Sequence, residues 1–138
     1  MAKLQVGDGL APGSILGPLI DANAVAKFEA HVADARAKGA EVRLGGTRHA
    51  LGGNFFAPTV LTGATPEMRI TREETFGPVA AVYAFADEAD AIAQANASEF
   101  GLASYFYARD LSRVWRVAEA LEYGMVGVNT GLISTAVA

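Results

Sequence analysis

The chain has 138 residues, of which 51% are apolar and 19% charged, with a formal net charge of −4 and a pI near 5.1. This profile predicts one folded domain and excludes intrinsic disorder. An acidic chain without a run of Lys or Arg gives no basis for a nucleic-acid partner. No apolar stretch approaches the roughly 20 residues of a membrane span, and the first residues lack an apolar signal core, so we expect a cytoplasmic protein. The chain has no cysteine, which excludes thiolate catalysis and thiolate metal sites within it.

The first 64 residues predict a loop, a helix and two strands. Residues 6–19 are rich in Gly and Pro and are typical of an extended loop. Asp21 is a suitable N-cap for a helix that ends near Gly39, with apolar residues at helical spacing between them. Residues 41–44 alternate as a short strand does, and residues 55–61 predict a second strand. Pro58 in that second strand indicates an edge or irregular position.

The remaining residues predict alternating strands and helices. A helical turn is expected at 65–68, with Pro66 at its first position. Residues 79–85 lack polar alternation and predict a strand that is buried on both faces. Helices capped by Asp87 and Asp110 then alternate with strands at 103–108 and 125–129. The sequence therefore predicts an α/β fold with a parallel-type sheet and flanking helices, in one domain with a looser first third.

Ligands of open α/β sheets gather beyond the carboxyl ends of the strands, where two segments qualify. Asp110 follows one strand, and its position at a helix start favours a capping role. The polar loop at 129–135 follows the last strand. It is compatible both with a binding surface and with a hydrogen-bonded turn.

The run at 72–79 combines two adjacent carboxylates, an aromatic ring and a Gly-Pro turn. Neighbouring residues of an extended segment point to opposite sides, which disfavours a shared acid/base or metal centre at Glu73 and Glu74. Phe76 should then face the same way as Glu74, and a carboxylate can accept two hydroxyl hydrogen bonds from one ligand. Two solvated glutamates beside a core Phe remain the alternative. His31 and His49 share no metal-ligand spacing with acidic neighbours, so structural or surface roles are expected for both.

Five segments carry a resemblance to a known family. Residues 73–79 resemble the EE(x)FGPV signature of NAD(P)-dependent aldehyde dehydrogenases. Four further segments resemble the family, and all five occur in the family's order along the chain. From the N-terminus, the four are VGD with GPLI, GG with F.PTVL, FGLA, and GMVGVNTGLIS. The last of these is most similar to the succinate-semialdehyde dehydrogenase branch. The resemblance covers the chain essentially from end to end.

The resemblance implies roles for three residues. Glu74 would hold the nicotinamide-ribose hydroxyls of NAD or NADP, and Phe76 would pack near the nicotinamide. Ser134 would help to hold the carboxylate of a small aldehyde substrate such as succinate semialdehyde. The intact enzyme is expected to form a homo-oligomer.

The chain also departs from the family pattern. The nucleophile of the family is a cysteine, and the chain has none, so no catalytic residue is assigned. The resemblance implies that residues 1–138 are a partial catalytic domain without the nucleophile segment, the main cofactor domain and the oligomerisation tail. Such a piece should be inactive alone and should expose apolar surface. The alternative is a non-catalytic α/β module that binds a ligand or a partner and exposes no such surface.

Overall fold

The computed structural model describes residues 1–132 and divides them into two compact units that separate after Ala84. No helix among these residues is long and apolar enough to cross a lipid bilayer. The signature run lies in the first unit, and the polar loop after the last strand lies in the second. Each unit is described by itself.

The first unit contains two helices and a three-stranded sheet. Its elements are helix α1 (Ala22–Ala37), strands β1 (Glu41–Leu44) and β2 (Thr59–Thr62), helix α2 (Arg69–Arg72) and strand β3 (Val79–Val82). Strand β2 lies in the middle of the sheet, antiparallel to β1 and parallel to β3. The sheet is therefore mixed, with one parallel pair beside the signature run.

Helix α1 forms as its sequence predicts. The side chain of Asp21 accepts a hydrogen bond from the backbone N–H of Ala24 at 2.8 Å, and Gly39 follows the helix with a φ of +97°. Its apolar stripe is buried, comprising Val25, Phe28, Val32 and Ala35. This stripe supplies much of the core of the first unit, together with Phe56, Leu61 and Met68.

Three expectations for the first unit are wrong in detail. Strand β2 begins at Thr59 rather than at residue 55, and it is the central strand of the sheet rather than an edge strand. Because Pro58 precedes the strand, its missing N–H removes no hydrogen bond between the strands. Residues 65–68 form a turn, and the short helix starts at Arg69 rather than at Pro66. Strand β3 ends at Val82 and is only partly buried, with 48% of Val82 exposed.

The second unit contains two helices and a two-stranded sheet. Its elements are helix α3 (Glu88–Asn96), strand β4 (Ala103–Phe106), helix α4 (Leu111–Ala120) and strand β5 (Met125–Val128). The strands β4 and β5 are parallel, and α4 provides the crossover connection that parallel neighbours need. The side chains of Asp87 and Asp110 cap α3 and α4 by accepting from the N–H groups of Asp90 and Arg113.

The expected grouping of the last three strands in one parallel sheet is wrong, although β4 and β5 are parallel to each other as expected. Strand β3 pairs with β2, while β4 and β5 form a two-stranded sheet. Among the described residues of the second unit, Gly127 alone is buried, and no apolar side chain is fully buried. Large apolar side chains are exposed there, including Leu102, Tyr107, Leu111 and Trp115.

Candidate functional site

The signature run alternates between an inner and an outer side. Glu73 and Thr75 turn toward helix α1, where both contact His31. Glu74 and Phe76 are exposed, and Phe76 has 81% of its surface accessible. The segment thus behaves as extended backbone, and it presents a carboxylate and an aromatic ring on its outer side.

His31 is the buried anchor of this arrangement. Its side chain is fully buried, with Nε2 2.9 Å from Oε2 of Glu73 and Nδ1 3.1 Å from the Thr75 hydroxyl. The Thr75 hydroxyl also lies 3.0 Å from the backbone carbonyl of Glu73, and it has one proton to give to this carbonyl or to Nδ1. Both ring nitrogens of one histidine are therefore engaged by residues on either side of Glu74 in sequence.

The Glu73 carboxylate belongs to an ion pair rather than to an acid/base centre. Arg69 donates to it through Nε at 2.7 Å and through Nη2 at 3.2 Å. These charge-assisted bonds, and then the bond from His31, lower the pKa of Glu73 to about 2. Because an ionised carboxylate can only accept, His31 donates through its Nε2–H. A carboxyl with so low a pKa is unsuited to exchange protons near neutral pH.

Two further residues of α1 contact the same segment. Lys27 Nζ donates to the backbone carbonyl of Glu74 at 2.5 Å, and Asp34 Oδ2 accepts from the backbone N–H of Arg69 at 2.8 Å. Lys27, His31 and Asp34 are spaced by four and three residues, which places them along one face of the helix. This α1 stripe, defined as Lys27, His31 and Asp34, holds the chain from Arg69 to Thr75.

The Gly-Pro turn after Phe76 is closely packed. A Cβ on Gly77 would overlap the tip of the Phe28 ring and would lie 2.9 Å from Cδ2 of Leu19. The carbonyl of Pro78 accepts from the backbone N–H of Thr59 at 2.7 Å, so the turn leads directly into the β2–β3 pairing. Phe76, Gly77 and Pro78 also line an apolar cleft of about 380 Å³ with residues 16–20 and Ala24.

This geometry suits the recognition of a ligand that carries hydroxyls and a flat ring. The Glu74 carboxylate is available to accept hydroxyl hydrogen bonds, because Lys27 binds the backbone carbonyl of Glu74 and not its side chain. The Phe76 ring beside it offers a flat apolar face. Within residues 1–132, no group of three His, Cys, Asp or Glu side chains could hold a metal ion.

In the second unit the structure shows the hydrogen-bonded turn at the start of the polar loop. Asn129 has a φ of +55°, and its side chain bonds both the N–H and the carbonyl of Ala108, at 3.0 and 2.9 Å. The Thr130 hydroxyl donates to the carbonyl of Leu132 at 3.1 Å. Ser134 lies outside the described residues.

The family model for the aldehyde dehydrogenase family matches residues 1–138. The chain belongs to the aldehyde dehydrogenase family. It is 62% identical over 138 residues to the succinate-semialdehyde dehydrogenase (NADP(+)) GabD of Escherichia coli (strain K12), and equally so to the glutarate-semialdehyde dehydrogenase of Pseudomonas aeruginosa. Each match covers the whole chain and 29% of the relative, so the chain spans less than a third of these relatives' length.

A solved structure shares the fold of this aldehyde dehydrogenase chain. The crystal structure of an E. coli NADP dependent enzyme superposes with a TM-score of 0.95 at 62% identity. The match covers 99% of this chain and 28% of that one. The family resemblance and the α/β class expected from sequence are therefore confirmed.

The sequence did not indicate the part that His31 plays in the aldehyde dehydrogenase signature. His31 and Glu73 are 42 residues apart, and no local motif links them. The spacing of Lys27, His31 and Asp34 could have indicated this contact, because it places three polar side chains on one face of the predicted helix, beside the apolar face.

Proposed function

We propose that this chain is part of an NAD(P)-dependent dehydrogenase that oxidises the semialdehyde of a small dicarboxylic acid, with succinate semialdehyde as the first candidate. The observation that carries the proposal is the 62% identity to the E. coli succinate-semialdehyde dehydrogenase along all 138 residues. The equal identity to a glutarate-semialdehyde dehydrogenase supports a substrate with an aldehyde at one end and a carboxylate at the other. One methylene separates these two substrates, and a pocket discriminates such a difference only weakly, by about 10–200-fold.

The outer side of the signature run supports a cofactor-binding role. In the proposed enzyme, Glu74 accepts hydrogen bonds from the nicotinamide-ribose hydroxyls, and the Phe76 ring packs near the nicotinamide. The dinucleotide supplies the hydride acceptor for aldehyde oxidation. Glu74 and Phe76 position it and do not react, and small errors in such positioning are costly. Ser134 is proposed to contact the substrate carboxylate.

The reactive nucleophile is proposed to lie outside these 138 residues. The family resemblance implies a cysteine thiolate that attacks the aldehyde carbon, and this chain contains no cysteine. Residues 1–138 then act as a partial catalytic domain that positions cofactor and substrate. A cytoplasmic location and a homo-oligomeric intact enzyme complete the proposal.

The second unit favours this function over a stand-alone binding module. A self-sufficient module should bury an apolar core of its own. No apolar side chain among the described residues of the second unit is fully buried, and the exposed fractions of Leu102, Leu111 and Trp115 are 76%, 70% and 62%. Apolar side chains exposed to this extent are suited to be covered by further protein.

The test uses two preparations. The first is the purified chain, assayed for nicotinamide reduction with succinate and glutarate semialdehyde, with NAD and NADP offered separately. The second is a chimera in which this chain replaces the matching 138 residues of the E. coli enzyme. We expect no turnover by the chain alone and turnover of at least one semialdehyde by the chimera. A folded chimera that reduces neither dinucleotide would overturn the proposed function, and turnover by the chain alone would overturn its partial character.

A further inference from the structure

We propose that His31 is a positioning residue for the cofactor-binding run: its two ring nitrogens hold Glu73 and Thr75 so that Glu74 and Phe76 face outward in a fixed orientation. The inference rests on the proposed function, because it assigns Glu74 and Phe76 the dinucleotide as ligand. His31 itself touches neither substrate nor cofactor in this assignment.

The first support is the pattern of contacts. His31 Nε2 lies 2.9 Å from Glu73 Oε2, and Nδ1 lies 3.1 Å from Thr75 Oγ1. These two partners flank Glu74, so a single rigid ring fixes the backbone on both sides of it. An extended segment held at alternate residues cannot rotate the residues between them without breaking a contact.

The second support is the rigidity of the anchor. The His31 side chain is fully buried. It lies on helix α1 beside Val32 and one turn after Phe28, and both of these residues belong to the core. By contrast, Glu74 and Phe76 are exposed and depend on the backbone for their direction. Binding groups are held accurately when their supporting residues are locked by packing and hydrogen bonds.

The third support is that His31 lies at the centre of the α1 stripe. Lys27 binds the carbonyl of Glu74, and Asp34 binds the N–H of Arg69, which in turn pairs with Glu73. Three turns of one helix therefore contact consecutive parts of a segment more than 30 residues away. His31 is the member of this stripe that reaches both inner residues of the run.

The kinetic arm of the test uses the chimera with three variants. His31→Leu removes both hydrogen bonds, Thr75→Val removes one of them, and His31→Gln keeps an amide N–H that can donate to Glu73. We expect His31→Leu to raise the KM for the dinucleotide about tenfold or more, because misplacement of binding groups is costly. The KM for the aldehyde should change little. Thr75→Val should show a smaller rise, and His31→Gln should recover much of the loss.

The matched control is His49→Leu. His49 lies in a turn, where its Nδ1 accepts from the N–H of Leu51, and it has no contact with the run among the described residues. A purely structural role for His31 would lower the amount of active enzyme and leave both KM values unchanged. An unchanged dinucleotide KM in His31→Leu, or an equal rise in His49→Leu, would overturn the inference.

A second arm needs no activity and uses the 138-residue chain. A glutamate-specific protease cleaves after Glu73 or Glu74 only when this segment leaves helix α1, and cleavage after the exposed Glu99 is the internal reference. We expect His31→Leu to accelerate cleavage at 73–74 about tenfold relative to Glu99, and His49→Leu to leave the ratio unchanged. An unchanged ratio in His31→Leu overturns the inference even if the chimera is inactive. An inactive chimera with an increased ratio instead counts against the proposed function alone.

Discussion

Gly77 lies so close to Phe28 that the two residues leave no room for a methyl group between them. A Cβ on Gly77 would lie 2.8 Å from Cε2 of the Phe28 ring and still closer to its tip. The ring cannot retreat easily, because it is 98% buried and packs against Phe56 with a centroid distance of 5.6 Å. The glycine of the signature is thus explained by packing against helix α1.

Gly77→Ala should therefore destabilise the first unit. Overpacking of a filled core costs about 1–3 kcal/mol, and we expect a loss in this range in urea unfolding followed by circular dichroism. Gly9→Ala is the matched control, since a Cβ on Gly9 meets no atom within 4 Å. Equal stabilities for the two variants would contradict the packing explanation.

A second prediction concerns the buried Thr59 at the start of strand β2. Its hydroxyl accepts from the N–H of Gly46 at 2.8 Å and donates to the carbonyl of Ala57 at 2.8 Å. Thr59→Val keeps the shape and leaves these two groups without their partner, which should cost about 1–3 kcal/mol. Thr62→Val, in the same strand but only partly buried, should change stability by no more than about 0.5 kcal/mol. Thermal or urea unfolding of both variants measures the difference, and a larger loss at Thr62 would refute it.

The low pKa of Glu73 predicts a pH dependence with a definite sign. The ordinary value is 4.5, and pairing with Arg69, and then with His31, lowers the pKa in the folded chain to about 2. Because the folded state binds this proton less tightly, the stabilisation is fully present above pH 4.5 and is lost as the pH falls toward 2.

Glu73→Gln tests this dependence. Urea midpoints of the wild type and the variant should differ by a constant amount near neutral pH and should converge below about pH 4. Glu41→Gln, which alters an exposed ion pair with Arg43 on strand β1, serves as the control. A gap between wild type and Glu73→Gln that widens as the pH falls would contradict the predicted sign.

Glu74 should matter for cofactor binding and not for folding. Its side chain is exposed, and neither carboxylate oxygen has a hydrogen-bond partner among the described residues. Glu74→Gln should therefore change the free energy of unfolding by no more than about 0.5 kcal/mol. A hydrogen bond to a charged group contributes about 1.5–3 kcal/mol, so the dinucleotide KM of the chimera should rise roughly tenfold or more. Glu99→Gln is the control. Steady-state kinetics with varied dinucleotide would reject the assignment if both variants behaved alike.

Local chemistry made helix α1 and its neighbours predictable from sequence. Asp21 caps the helix, and Gly39 follows it in the left-handed conformation that an L-residue with a Cβ disfavours. The alternation of the signature run also indicated that Glu74 and Phe76 share a side, and both are exposed. These features depend on residues only a few positions apart.

The remaining features depend on distant contacts that no local pattern encodes. The apolar run that begins at Val79 predicts a strand, but its partner is β2, and only the paired structure shows this. Pro58 indicates an edge or irregular position. The edge position is wrong, because β2 is central, but Pro58 does lie outside the regular strand, directly before Thr59. The contact between His31 and Glu73 spans 42 residues, so a single sequence could not connect them.

The α1 stripe makes the signature run sensitive to the phase of a helix that precedes it by some forty residues. Adding one residue to α1 between Lys27 and His31 would rotate one part of the helix against the other by about 100°. Lys27 could then no longer share a face with His31 and Asp34, although every side chain of the run would be intact. An added residue in the turn at 50–53 would leave that phase untouched. Length changes in this part of the protein should thus be tolerated in the turns and rejected in the helix.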